Sequence, residues 1–356
     1  MTEYKISMAQ IDPNGTCNSR CWFCPVAYVP NPEKGRKTMP IELFDSLIRQ
    51  LTEGKGRFVA DSFNGIYTAH YNEVLLYAYF DEMLEVLRRY HLGTLILSNG
   101  TPLSKKRTDT IKKYQDVVRG VCLNIPAAEP ESWSRFTGIS KAVFPHLIEN
   151  IRYFHEQLPH YVESKAFSIQ MNGVNRHSLS EGGGWLDMLG SAPALDLDPE
   201  TGDLHRNYLL FKEMFPDTQV FEMPSLLDRA GYLDTHNIIT NKRGIERYLK
   251  KDNARVVGCG NGREVGGRPN GWLHVNANGD LFICCSDYDF DTVFGNVNES
   301  TLEQAWMSDS HKQMIERSYD TICRTCASAI WGKCKRSRLL RKRLLGDWCE
   351  SVRKAA

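Results

Sequence analysis

The chain has 356 residues, 42% of them hydrophobic and 24% charged, the balance of a globular protein large enough to bury a core without disulfides. Its 44 lysines and arginines face 43 aspartates and glutamates, so no global field favours nucleic acid or an acidic membrane. The opening residues MTEYKISMAQ lack the apolar run of a signal peptide, and no stretch reaches the length of a membrane span, so a cytoplasmic protein of one large domain or two is expected.

Residues 4 to 11 alternate weakly and predict a first strand, followed at once by a cysteine loop. Further strands are predicted over 58–67, 94–98, 117–125, 166–171 and 219–223. Between them, apolar residues at helical spacing predict helices over 40–51, 78–90, 105–114, 141–156 and 207–215. Strands alternating with helices imply a parallel sheet with crossover helices. Six such units make an α/β fold, a partial (β/α)6 barrel, whose chemistry gathers at the carboxyl ends of the strands. Residues 176–204 break this rhythm with Gly182-Gly183-Gly184 and DLDPETG, a loop length that is usually functional or disordered. From about 250 the texture changes to glycine-rich, then hairpin-like, then cysteine pairs and a basic helix. The expected division is therefore 1–250 and 251–356, the second part a small α+β domain.

Eleven cysteines need a reason in a reducing compartment, where spaced cysteines read first as metal ligands or catalytic groups. They fall into an N-terminal triplet, a lone Cys122, and a C-terminal set of Cys259, Cys284, Cys285, Cys323, Cys326, Cys334 and Cys349. Two separate sites are implied. Cys17-Asn-Ser-Arg-Cys21-Trp-Phe-Cys24 has the spacing C-x3-C-x2-C. Three thiolates on one short loop can hold three irons of a [4Fe–4S] cube and leave the fourth open. Cys122 lies inside an apolar strand and reads as a buried, inert thiol.

The triplet after a first strand resembles the radical S-adenosylmethionine (radical SAM) superfamily, and the resemblance extends over most of the chain. It implies that the open iron chelates S-adenosylmethionine (AdoMet), and that reductive cleavage yields methionine and a 5′-deoxyadenosyl radical, which abstracts hydrogen from carbon. Phe23, before the last cysteine, is aromatic as that motif prefers near the adenine. Tyr71-Asn72-Glu73-Val74 sits where the family has its GEP-like segment, and Glu73 keeps an acceptor for the AdoMet ammonium. Asn72 stands there for Gly and Val74 for Pro. Ser98-Asn99-Gly100-Thr101 resembles the STNGT segment. Asn124 and Asn172, ending two later strands, are placed to meet ribose or carboxylate, or simply to satisfy a strand end. Arg229 faces the same rim as a candidate to orient substrate or deprotonate a radical intermediate, with a surface salt bridge as the plain alternative.

The C-terminal cysteines resemble the SPASM, or shorter twitch, extension of that superfamily: Cys259, a hairpin turning at Asn278-Gly279-Asp280 with Cys284 five residues after Gly279, Gly295-Asn296, then Cys323-Arg-Thr-Cys326. Cys259, Cys284, Cys323 and Cys326 would close one auxiliary [4Fe–4S] cluster. Cys285 is the alternative hairpin ligand, and Cys334 with Cys349 would be needed for a second cluster. Zinc is the rival for any C-x2-C pair. The basic run 335–343 reads as a solvated helix face or a docking patch for a flavodoxin- or ferredoxin-type electron donor. No interleaved aromatics favour nucleic acid there.

The resemblance implies two-electron oxidation of an alcohol on a small polar, sugar- or aminocyclitol-like substrate, with the auxiliary cluster as electron sink. Alternatives are epimerisation, with Cys285, Cys334 or Cys349 returning hydrogen, and maturation of a ribosomally made peptide. Only 16 residues precede Cys17, which leaves no room for the peptide-recognition domain such maturases usually carry. A non-catalytic electron-transfer or sensing protein is the remaining class, and AdoMet cleavage discriminates it.

Overall fold

The computed structural model describes residues 5–21, 24–27, 38–54, 57–58, 65–172, 204–223, 254–260, 267–326 and 328–333. The 176–204 loop (but for its last residue), Phe23, Arg229, Cys334, Cys349, the basic run 335–343 and the division near 250 lie outside them.

Six strands carry the first part: β1 (Met8–Ile11), β2 (Gly65–Tyr67), β3 (Gly93–Ser98), β4 (Val118–Asn124), β5 (Phe167–Asn172) and β6 (Gln219–Met223). They lie side by side in chain order and every pairing is parallel. The connecting helices are α1 (Ile41–Glu53), α2 (Phe80–Arg89), α3 (Lys105–Lys113), α4 (Pro130–Thr137), α5 (Phe144–Gln157), α6 (Pro159–Glu163) and α7 (Leu204–Met214). This is the partial (β/α)6 architecture.

Local chemistry explains the elements. α1 buries Phe44, Leu47, Ile48 and Leu51, one stripe at 3.6-residue spacing. α3 starts where the Ser104 hydroxyl accepts the Arg107 N–H at 3.3 Å, an N-cap. Ile96, Leu123 and Ile169 are fully buried in neighbouring central strands, as expected of parallel strands covered by helices. α4 and α6 were not expected from periodicity. Pro130 at the start of α4 and the left-handed Gly138 at its end are the signals that mark it.

The sheet does not stop at β1. β7 (Ala254–Cys259) leads to β8 (Trp272–Val275), β9 (Asp280–Phe282) and β10 (Val293–Asn296). β8 pairs parallel to β1, with His274 opposite Gln10, and the antiparallel β9 and β10 complete nine strands. The C-terminal hairpin is therefore hydrogen-bonded onto the barrel edge. Next come α8 (Leu302–Met307) and α9 (Asp309–Asp320). α8 carries a full capping box between Thr301 and Gln304. β11 (Ala329–Lys333) then pairs antiparallel with β7, placing Ala329 opposite Cys259. No described helix is long and apolar enough to cross a membrane.

Candidate functional site

A cavity of about 290 Å³ opens at the carboxyl ends of the barrel strands, and Cys17, Cys21, Cys24, Glu73, Ser98, Asn99 and Asn124 all line it. The cysteine loop is pinned on two sides. The Glu73 N–H donates to Thr16 O at 2.8 Å, and the Arg20 N–H donates to Thr137 O, at the end of α4, at 2.6 Å. Cys17 Sγ accepts the Ser19 N–H at 3.4 Å and the Asn99 side-chain amide at 3.8 Å. Burial, more than any other effect, pushes the Cys17 thiol up to about 11. Burial and then the neighbouring Cys24 and Cys17 push Cys21 well above the ordinary thiol value. Three half-buried thiols on one cavity wall suit an iron–sulfur cluster spanning them, because coordination deprotonates thiols outright.

Glu73 is fully buried and works as a staple. Its carboxylate accepts the Leu75 N–H at 3.1 Å and the Asn99 N–H at 2.8 Å. Burial raises its carboxyl to about 7 against those donors. Asn99 reaches on through its side chain: Oδ1 accepts the Thr101 N–H at 2.9 Å, and Nδ2 donates to Asn18 Oδ1 at 2.9 Å. Gly100 has φ +82°, and a Cβ there would stand 2.7 Å from Leu147 Cδ1, so the turn needs glycine twice over. Asn124 Oδ1 is buried with no hydrogen-bond partner among the described residues. An orphaned acceptor on a cavity wall is what a bound polar cofactor would satisfy. Asn172 ends β5; its side chain lies outside what the structure describes.

Gln10, His70 and Gln170 had no place in the sequence reading, and they share this wall with Asn72, Cys122 and Cys285. Cys122 is half-buried and faces this cavity, not the apolar core, and its thiol pKa is raised by burial. The alternation of β4 turns it inward with Asn124. His70 Nδ1 lies 3.2 Å from the Asp12 carboxylate, both side chains buried, and its Nε2 bonds the carbonyl of Cys285. The signal that was available is Asp12 itself, an acid directly after a buried strand.

The candidate auxiliary ligands adjoin this wall through Cys284 and its neighbour Cys285. Cys323 feels Cys284, Cys326 and Cys259 together, and burial first, then these neighbours, push its thiol well above the ordinary value. Cys284 Sγ accepts the Ser286 N–H, and Cys326 Sγ the Ser328 N–H, both at 3.4 Å, matching Ser19 on Cys17. Gly267, at φ +101°, passes within 3.2 Å of the Cys259 Cβ, measured from the Cβ it lacks. Arg268 Nη1 points at Cys284 Sγ (3.6 Å) and Cys285 Sγ (2.5 Å), with its guanidinium 4.4 Å over the Trp272 ring. Burial works to lower the Arg268 pKa, but Cys285 and Cys284 hold it above the ordinary value. A hydrogen bond with Cys285, followed by the charge of Arg268, holds Cys284 well below the usual thiol value despite burial.

Sequence profiles decide the family. The radical SAM superfamily profile matches residues 11–181, and the SPASM iron–sulfur cluster-binding domain profile matches 267–327. The chain is a radical SAM enzyme with a SPASM domain. Its cofactors are [4Fe–4S] clusters and AdoMet. No curated protein sequence matches it. Among solved structures, it is similar to BtrN in complex with AdoMet and 2-DOIA, at 16% identity over 92% of this chain and 94% of that one, with a TM-score of 0.51. The Streptococcus suis protein SuiB bound to S-adenosylmethionine matches at 15% over 91% and 71%, TM-score 0.51. Native anSMEcpe with bound AdoMet matches at 14% over 98% and 100%, TM-score 0.52. Such identities establish a shared fold.

Proposed function

We propose that this radical SAM enzyme oxidises an alcohol carbon of a small, polar, sugar- or aminocyclitol-like substrate by two electrons. One observation carries the reading: Cys285, next to the auxiliary ligand Cys284, lines the same cavity as Cys17, Cys21 and Cys24. An auxiliary cluster held by Cys284 would therefore put an electron acceptor beside the wall where a substrate radical would form. Cys17, Cys21 and Cys24 would hold the radical cluster, and Cys259, Cys284, Cys323 and Cys326 the auxiliary one. Glu73, Ser98, Asn99 and Asn124, with Phe23 and Asn172, would hold AdoMet.

When bound and reduced by a flavodoxin- or ferredoxin-type donor, these cofactors supply methionine and a 5′-deoxyadenosyl radical. The substrate gives up one hydrogen atom from carbon, one proton from its hydroxyl and one electron, and leaves as a carbonyl compound. Arg229 is the candidate for receiving that proton, while His70, whose Nε2–H donates to the Cys285 carbonyl and whose Nδ1 faces Asp12, is a fixed wall group. The wall's amides, Gln10, Asn72 and Gln170, suit a neutral polyhydroxylated substrate, since each offers both donor and acceptor. BtrN, solved with the small molecule 2-DOIA, is consistent with a substrate of this size.

A second reading, epimerisation, rests on the thiols of Cys122 and Cys285 on the same wall, either of which can return a hydrogen atom. Peptide maturation rests on the likeness to SuiB, which has been solved with its precursor peptide SuiA. Replacing Cys323 or Cys326 by Ala tests the oxidation reading. Carbonyl product should disappear while 5′-deoxyadenosine still accumulates. Product at the wild-type rate would remove the electron sink from the reaction.

A further inference from the structure

We propose that Arg268 is the buried cation that sets the reduction potential of the auxiliary cluster, raising it so that the cluster can accept the substrate's electron. The residue is 8% exposed, and among the described residues no carboxylate forms an ion pair with it. A guanidinium is not buried without an anion nearby, because desolvation outweighs what packing returns. Among the described residues, the anions on offer are thiolates. Nη1 reaches Cys284 Sγ at 3.6 Å and Cys285 Sγ at 2.5 Å. Nε is buried and bonds no described atom, so it keeps a donor in reserve beside the candidate ligands. Trp272 packs against one face at 4.4 Å and fixes the plane.

The neighbouring imidazole does not compete for this role. His274 is fully buried, and burial, then Arg268 and His70, push it well below the ordinary imidazole value. It stays neutral, and Arg268 holds the fixed positive charge on that side. Cluster reduction adds one negative charge, and a cation at hydrogen-bond distance stabilises the reduced form more than the oxidised form. The potential therefore rises. At the radical site, Cys17 Sγ has uncharged donors instead, the Ser19 N–H and the Asn99 amide. That asymmetry fits one strongly reducing site and one accepting site.

The inference builds on the oxidation reading for the source of the electron. After hydrogen-atom loss, the substrate radical forms its C=O bond by losing the hydroxyl proton to a base and one electron to the cluster. The potential itself can be measured without any substrate. In a chain with Cys17, Cys21 and Cys24 all changed to Ala, only the auxiliary cluster remains, and its midpoint is read by redox titration with electron paramagnetic resonance. Arg268→Gln and Arg268→Met should each make the cluster at least tenfold harder to reduce, a negative shift of about 59 mV or more for one electron. Arg268→Lys, which keeps the charge, should recover most of the shift. Neutral variants that titrate with the parent would overturn the inference, as would a Lys variant shifted as far as Gln. Neutral variants that hold no iron while Lys does would also overturn it, making Arg268 an assembly residue. A wild-type product of unchanged mass would sink the oxidation reading separately and leave the measured shift standing.

Discussion

Glu73 Oε2 accepts the backbone N–H of Asn99 at 2.8 Å, so one buried carboxylate ties the loop after β2 to the loop after β3. Asn99 in turn bonds Cys17 Sγ and Asn18. The candidate AdoMet contacts and the cysteine loop thus form one hydrogen-bonded unit.

That staple carries a pH dependence. The Glu73 carboxyl lies at about 7 in the ligand-free protein, raised from 4.5 mainly by burial. An ammonium bound beside it favours the carboxylate and lowers the pKa in the complex. AdoMet affinity should therefore be strongest above pH 7 and weaken as pH falls below it, by up to roughly tenfold per unit. The same shift acts on folding in the opposite sense. A raised acid contributes stability that is complete below the ordinary carboxyl pKa and is lost as pH rises through about 7. Calorimetric titration of AdoMet between pH 6 and 8 should show the slope, and Glu73→Gln should flatten it. An unchanged slope in the variant would place the titrating group elsewhere.

Gly100→Ala should destabilise the fold by about 1–3 kcal/mol, because it combines a left-handed backbone with a new core contact. The φ of +82° and the 2.7 Å approach to Leu147 set that expectation. Urea unfolding of the apo protein measures it, and a loss below about 0.5 kcal/mol, the range of neutral surface changes, would contradict the turn geometry.

Much of this architecture is legible in the sequence, for a physical reason: β3 to β5 each place apolar residues such as Ile96, Leu123 and Ile169 in the core, and α1 shows one clean apolar stripe. The triplet, Glu73 and the Ser98–Thr101 turn are adjacent in sequence to the strand ends that position them. What was not legible depends on pairing at long range. The parallel bonding of Trp272–Val275 to Met8–Ile11 joins segments with no local signal for each other. His70 meets the Cys285 carbonyl across 215 residues. Cys122 looked inert because its apolar neighbours Val121 and Leu123 hide which side of β4 faces the cavity.

Replacing Cys17, Cys21 and Cys24 together by Ala should abolish 5′-deoxyadenosine formation and leave a cubane signal that AdoMet no longer perturbs. Continued AdoMet cleavage by the variant would move the radical site away from this loop.

Iron content separates the cluster partitions. Anaerobic reconstitution should give about eight irons per chain, two cubanes. Cys284→Ala should lower this to about four, whereas Cys285→Ala should keep about eight. The reverse pattern would make Cys285 the hairpin ligand, and a stable value near twelve would call for a third cluster.

The most direct test of the proposed reaction is the mass of the product. Anaerobic turnover with AdoMet, reductant and candidate polyols deuterated at carbon, followed by mass spectrometry, should place substrate deuterium in 5′-deoxyadenosine. In a parallel run with unlabelled substrate, the product should be two mass units lighter than that substrate, with no solvent hydrogen at the abstracted carbon. A product of unchanged connectivity that gains one deuterium in heavy water would contradict oxidation and make the enzyme an epimerase.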